Sequence, residues 1–253
     1  MRSRIVAGAV VMLLAGALVS PARAITNGQV DDGRHPFVGA LLHDLSDGSG
    51  VYPTCTGTLI SQTVFLTAAH CHFADRVSVS FDEKIVPGTK GLWGSMYSHP
   101  KYVSATEYDI AVVVLDKPVR NITPARLAPL GFLDSQTLTS STKFTSVGYG
   151  GQEPTNEPGP GGPVIAFEDV REYSVGSFKG ITQGALHIWQ KASRGDGGTC
   201  YGDSGGPQFW GAGSTETNVV VSATVTGDGL CKSTNVTARM DTQAAHSFLD
   251  SYL

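Results

Sequence analysis

Gly202-Asp203-Ser204-Gly205-Gly206-Pro207 sets a single serine among glycines, and the reading of the chain begins there. A serine hydroxyl is a weak nucleophile unless a neighbouring base takes its proton, and its backbone must turn tightly so that the oxygen stands clear. Glycines on both sides permit that turn. They also leave the backbone N–H groups of Gly202 and Ser204 to point at one spot, where a carbonyl oxygen gaining negative charge can sit. Alone, the run also reads as a flexible turn, so its chemical reading depends on what stands elsewhere in the chain.

Two upstream segments supply the missing parts. Leu66-Thr67-Ala68-Ala69-His70-Cys71 places a histidine after a strand-like run and a small-residue turn, beside a cysteine able to fix it. The near-neutral pKa of imidazole suits a base that must both take and return a proton. Asp109 opens the run Asp109-Ile110-Ala111-Val112-Val113-Val114-Leu115. An acid at the mouth of an apolar strand is costly to bury unless a donor meets it, and the His70 imidazole is such a donor.

Around these segments, short runs rich in Val, Ile, Thr, Tyr and Phe alternate with clusters of Gly, Pro, Asp, Asn and Ser. The runs are Phe37 to Leu42, Gly57 to Ser61, Val77 to Phe81, Ile110 to Leu115, Lys143 to Val147, Ala185 to Gln190 and Val219 to Val225. Many short strands at fairly even spacing predict an all-β sandwich or barrel set. A helical period is sustained only over Asp241 to Leu253, where Ala244, Ala245, Phe248, Leu249 and Leu253 share a face and Asp241 is the expected cap. The proline- and glycine-rich stretch Gly148 to Pro163 reads as a linker or as a long surface loop.

The N-terminus has the layout of a secretory signal peptide: a basic Met1-Arg2-Ser3-Arg4, an uncharged apolar run from Ile5 to Val19, then Ser20-Pro21-Ala22-Arg23-Ala24. The apolar run is short for a membrane span, which needs about 20 residues. Cleavage after Ala24 makes Ile25 the new terminus. It also removes Arg2, Arg4 and Arg23 with no acid, taking the formal charge from -4 to -7. The clustered Lys and Arg that phosphate binding draws on are missing, so nucleic acid is not an expected partner. Export, to the outside of the cell or to a periplasm, lets disulfides persist. Four cysteines allow three pairings. Spacing favours Cys55 with Cys71 and Cys200 with Cys231, while zinc is the competing use of His70-Cys71-His72.

The order His70, Asp109, Ser204, with Ala68-Ala69-His70-Cys71, Asp109-Ile110-Ala111 and Gly202-Asp203-Ser204-Gly205-Gly206-Pro207, resembles the chymotrypsin/trypsin-like serine proteases. Gly57-Thr58-Leu59-Ile60-Ser61, Val147-Gly148-Tyr149-Gly150 and the terminal helix extend the likeness. It implies two six-stranded antiparallel β-barrels with a cleft between them and a C-terminal α-helix. The boundaries are a signal peptide over 1–24, a first barrel about 25–130, a second about 131–240 and a helix about 241–253. It agrees with the same two disulfides, and it makes Gly148 to Pro163 a loop beside the cleft.

The resemblance further implies a secreted monomeric endopeptidase that takes peptides or proteins and needs neither cofactor nor catalytic metal. In it His70, Asp109 and Ser204 are catalytic, and the N–H groups of Gly202 and Ser204 hold the oxyanion. Ile25-Thr26-Asn27-Gly28 looks like the family's mature start, whose α-ammonium pairs with the acid before the nucleophile, here Asp203. The specificity pocket maps to Gly198, Thr199, Gly227 and Asn235. Gly198, six residues before Ser204, lacks the carboxylate of trypsin-like pockets, so an apolar or aromatic residue is expected before the cleaved bond. Asp196 and Asp228 are the acids able to upset this. Val225 and Thr226 depart from the family's usual serine and tryptophan. They are what favours the rival reading, a non-catalytic binding module on the same fold. Asn121-Ile122-Thr123 and Asn235-Val236-Thr237 fit glycosylation sequons.

Overall fold

A computed structural model of the chain describes residues 25, 27–44, 50–105, 108–151, 158–159, 162–163 and 165–253. The expected signal segment over 1–24 and half of Gly148 to Pro163 lie outside these. The strands are β1 (Gln29–Val30), β2 (Val38–Asp44), β3 (Val51–Leu59), β4 (Val64–Thr67), β5 (Arg76–Ser80), β6 (Leu92–Ser98), β7 (Ala111–Leu115) and β8 (Arg126–Leu127). They continue with β9 (Lys143–Gly148), β10 (Pro158–Gly159), β11 (Gly162–Pro163), β12 (Glu172–Ile181), β13 (Ala185–Trp189), β14 (Pro207–Trp210), β15 (Val219–Gly227) and β16 (Thr234–Arg239).

Strands β2-β3-β4-β7-β6-β5 close one antiparallel barrel. A second ring runs β12-β13-β16-β15-β14-β9 and closes by pairing β9 with β12, while β1 and β8 attach to its edges. Successive strand residues face opposite sides, which explains how one strand serves two cores. In β7, Val113 joins Leu41, Phe65 and Val79 inside the first barrel. Its neighbour Val112 joins Val38, Leu66, Val147 and Phe209 in the seam between barrels. Phe144, Leu186, Ile188 and Val221 fill the second barrel.

A buried polar clasp also crosses the seam. Arg171 Nε donates to Asp31 at 2.8 Å, and its Nη1 reaches Val38 O and Phe81 O, both at 3.1 Å. His35 stacks on Phe209 and bridges Asp31 to Glu216. Burial opposes a charge on the His35 ring, but hydrogen bonds and attraction from the two carboxylates outweigh it and hold its pKa above the ordinary value.

The C-terminal helix α1 spans Gln243–Leu249, shorter than the sequence pattern suggests. Its cap is Thr242, whose hydroxyl accepts Ala245 N at 3.1 Å. The expected cap Asp241 is instead engaged by Arg239 and by Leu133 N, so the neighbouring hydroxyl takes the capping position. Ala245, Phe248 and Leu249 are buried, whereas Leu253 is exposed beyond the helix end.

Candidate active site

His70 sits on a single 3-10 turn, Ala69–Cys71, at the end of β4. That turn is held by the Cys55–Cys71 disulfide, which links it to β3. Asp109 lies just before β7 and is 1% exposed. The preceding Tyr108 is in the left-handed region at φ 55, a bend that few non-glycine residues adopt. The two residues then meet twice. His70 N donates to Asp109 Oδ1 at 2.8 Å, and the imidazole Nδ1 lies 2.6 Å from Asp109 Oδ2. A carboxylate on Nδ1 fixes the proton there and leaves Nε2 as the basic nitrogen.

Ser204 comes from the other barrel and is tied to both. Its carbonyl accepts Thr56 N of β3 at 2.8 Å, and the next amide, Gly205 N, donates to Thr224 O of β15 at 2.7 Å. Gly205 has φ +79, and a Cβ there would overlap Thr67 Oγ1, so this position requires glycine. Gly202, at φ +97, makes the other half of the turn. The Cys200–Cys231 disulfide anchors this segment to the loop after β15. His70, Gly202 and Ser204 all line one cleft of about 790 Å³, with Thr199, Gly227 and Tyr201 among its walls.

The remaining pocket residues are placed differently. Gly198 and Asn235 are buried and are not among the residues lining the cleft. Asp196 also lies outside it, fully buried and paired with the partly exposed Lys143 and Arg194. Asp228 lines the cleft, but its carboxylate accepts the N–H groups of Lys232, Ser233 and Thr234 at 2.6–2.9 Å. Burial pushes that carboxyl up, yet these donors prevail and hold it below its ordinary pKa. Val225 is buried in the wall and Thr226 is exposed at the cleft. Of the two sequons, Asn121 is exposed, whereas Asn235 is 1% exposed within β16 and inaccessible to a glycan.

Ile25 is also buried, at 1% exposure. Its backbone N donates to Glu172 Oε2 at 3.0 Å, not to Asp203, in this uncleaved chain where it is an amide. Asp203 is fully buried, accepting Gly150 N and Cys200 N, both at 2.8 Å, and forms no ion pair among the described residues. Burial pushes its carboxyl up to about 7, against those two donors, and the charge of nearby Glu172 adds to the rise. Glu172 is a feature the sequence did not flag: it opens a strand as an ordinary polar residue and belongs to no motif. Among the described residues, the cluster with metal-ligating atoms close together is Cys55, His70 and Cys71, and its thiols are consumed in the disulfide. No helix among the described residues is long and apolar enough to cross a membrane.

Comparison with known proteins agrees with this arrangement. The trypsin family model matches residues 24–245. The Factor V activator of Macrovipera lebetinus is 30% identical over 219 residues, covering 81% of this chain and 79% of that protein. The thrombin-like enzyme bilineobin of Agkistrodon bilineatus is 32% identical over 185 residues, covering 68% and 74%. The snake venom serine protease KN3 of Trimeresurus stejnegeri is 27% identical over 213 residues, covering 81% and 79%. A double barrel, a serine turn and an Asp-held histidine that line one cleft, and a family match over most of its length lead to one conclusion: the chain belongs to the trypsin family of serine proteases.

Proposed function

We propose that this chain is a secreted serine endopeptidase that hydrolyses peptide bonds through an acyl-enzyme on Ser204. The observation that carries the reading is the His70–Asp109 pair, joined at 2.6 Å, whose His70 lines the same cleft as Ser204. Ser204 Oγ attacks the peptide carbonyl carbon while His70 Nε2 takes its proton. The N–H groups of Gly202 and Ser204 stabilise the oxyanion, and such a donor is typically worth about 3 kcal/mol in the transition state. His70 then gives its proton to the departing amine, and the C–N bond breaks. In the second half a water loses a proton to His70, attacks the acyl group and frees the carboxylate, with Ser204 reprotonated.

Neither Asp196 nor Asp228 offers an unengaged carboxylate to the cleft, which supports an apolar or aromatic residue before the cleaved bond over Lys or Arg. Cleavage after Ala24 releases Ile25 as an ammonium, which replaces the amide beside Glu172 and neutralises Asp203. The burial of Ile25 and the absence of a cation on Asp203 among the described residues support this step. Relatives named as snake venom proteases support export. Titration with an organophosphate tests the whole reading. Stoichiometric labelling of Ser204 is expected, and no labelling would leave the binding-module reading in its place. A Lys ester hydrolysed faster than a Leu or Phe ester would refute the pocket assignment, and a fully active preparation starting elsewhere than Ile25 by mass spectrometry would refute the activation step.

A further inference from the structure

We infer that the buried side chain of Gln190 backs the floor of the substrate pocket from behind its lining residues, and that it restricts the residue before the cleaved bond to a short aliphatic side chain. This rests on the protease reading and narrows it. The starting observation is Gly198. A Cβ built there would overlap both Cβ and Oε1 of Gln190, so Gln190 already occupies the space into which a residue-198 side chain would project. Any side chain at 198 must first displace it.

The amide is fixed to both walls of the pocket. Gln190 is 1% exposed, and its Oε1 accepts Thr199 N at 3.1 Å on one wall. On the other wall its Nε2 approaches Asp228 Oδ1 at 3.4 Å, while its backbone N donates to Ser233 O at 3.0 Å. Asp228 is itself held by three backbone N–H groups, so the far end of the strut does not swing. The lining of the cleft fits such a floor: Thr199, Thr224 and Asp228 face the cavity, whereas Gly198, Gln190 and Asn235 lie behind it. Asn235 Oδ1 has no hydrogen-bond partner among the described residues, an acceptor sealed away from the cavity.

A side chain entering from the Ser204 end therefore finds the cavity closed at its lining residues, short of Gly198, because the Gln190 side chain fills the space behind them. On this inference Val or Leu is accepted, whereas Phe, Tyr or Trp presses the lining against a group that is hydrogen-bonded on both sides. Lys and Arg find neither depth nor a carboxylate free to pair. Because overpacking at a fixed wall is costly and a methylene in such a pocket changes selectivity by about tenfold or more, the discrimination is large enough to measure.

The test compares kcat/KM for peptide esters ending in Val, Leu, Phe, Tyr and Lys, with enzyme concentrations set by organophosphate labelling of Ser204. In the unaltered enzyme, Val and Leu esters are expected to exceed Phe and Tyr. Gln190→Ala removes the backing of the floor and is expected to raise the Phe to Val ratio by about tenfold or more. Gln190→Met keeps the length, loses the hydrogen bonds, and is expected to leave that ratio near the unaltered value even if it lowers stability, which separates filling from a merely structural role. An unaltered enzyme that prefers aromatic esters overturns the inference without needing any variant. So does a labelled Gln190→Ala enzyme with an unchanged ratio. Unaltered enzyme without labelling at Ser204 overturns the protease reading, and this inference with it, whereas labelling with the wrong order overturns this inference alone.

Discussion

Retaining a few residues ahead of Ile25 should destabilise the protein in a pH-dependent way, and the size of the effect follows from Asp203. In the uncleaved chain this carboxyl is fully buried without an ion pair among the described residues, and burial pushes it up to about 7 from the ordinary 3.8. An acid whose folded-state pKa lies above its unfolded value binds its proton more tightly when folded, so stability falls as pH rises between the two values. At about 1.4 kcal/mol per pH unit, the gap amounts to about 4 kcal/mol, present in full above pH 7 and absent below pH 3.8. On the proposed activation, release of Ile25 would bring an ammonium to the carboxylates and offset that cost. Chains beginning at Ile25 and at Ala22, both carrying Ser204→Ala to prevent self-cleavage, should therefore melt at nearly the same temperature at pH 4. At pH 7.5 the longer chain should melt roughly 10 °C lower. Circular dichroism in parallel melts reads the difference. An equal gap at both pH values, or no gap at pH 7.5, would refute the reasoning.

Other expectations follow from the same structure. Asp109→Asn keeps a side chain of the same shape but favours the wrong imidazole tautomer, and kcat on an ester substrate should fall by about four orders of magnitude with little change in unfolding midpoint. Arg171→Met removes the cation from Asp31 in the seam, and breaking a buried pair of this kind should cost about 3–5 kcal/mol by urea unfolding; a loss below about 1 kcal/mol would show that His35 alone satisfies Asp31. For His35 the folded pKa is raised, so its contribution is complete below the unfolded value of 6.5 and is lost as pH climbs through the folded one. His35→Gln should therefore reduce stability at pH 6 and remove the part of the alkaline decline that belongs to this ring, measured as urea midpoints across pH.

Much of the barrel framework is legible because strand period and turn residues are local signals. Ile110 to Leu115 and Val77 to Phe81 fall within one residue of β7 and β5. The two-residue strands β1 and β8 are too short to carry a period and are defined only by their partners across the sheet. The helix cap went to Thr242 because a distant Leu133 N and a nearby Arg239 compete for Asp241, and a sequence window does not register that competition. Ser204, His70 and Asp109 stand in motifs whose residue types report the chemistry. Glu172 and Gln190 do not. Each is a polar residue at one boundary of a strand, and what makes each matter is a partner 147 or 38 positions away. The Asp31–His35–Glu216 bridge is hidden for the same reason, since its outer members come together only when the seam closes.

The peptide unit that follows Ser204 is moored in opposite directions, its carbonyl to Thr56 in the first barrel and its N–H to Thr224 in the second. On the proposed mechanism, the reactivity of Ser204 is thereby made a gauge of how the two halves are docked. A slip of a few tenths of an ångström along their shared face displaces the attacking oxygen before any strand loses its register, so inactivation on warming or in mild denaturant would announce loosening of the halves while each still holds its own shape.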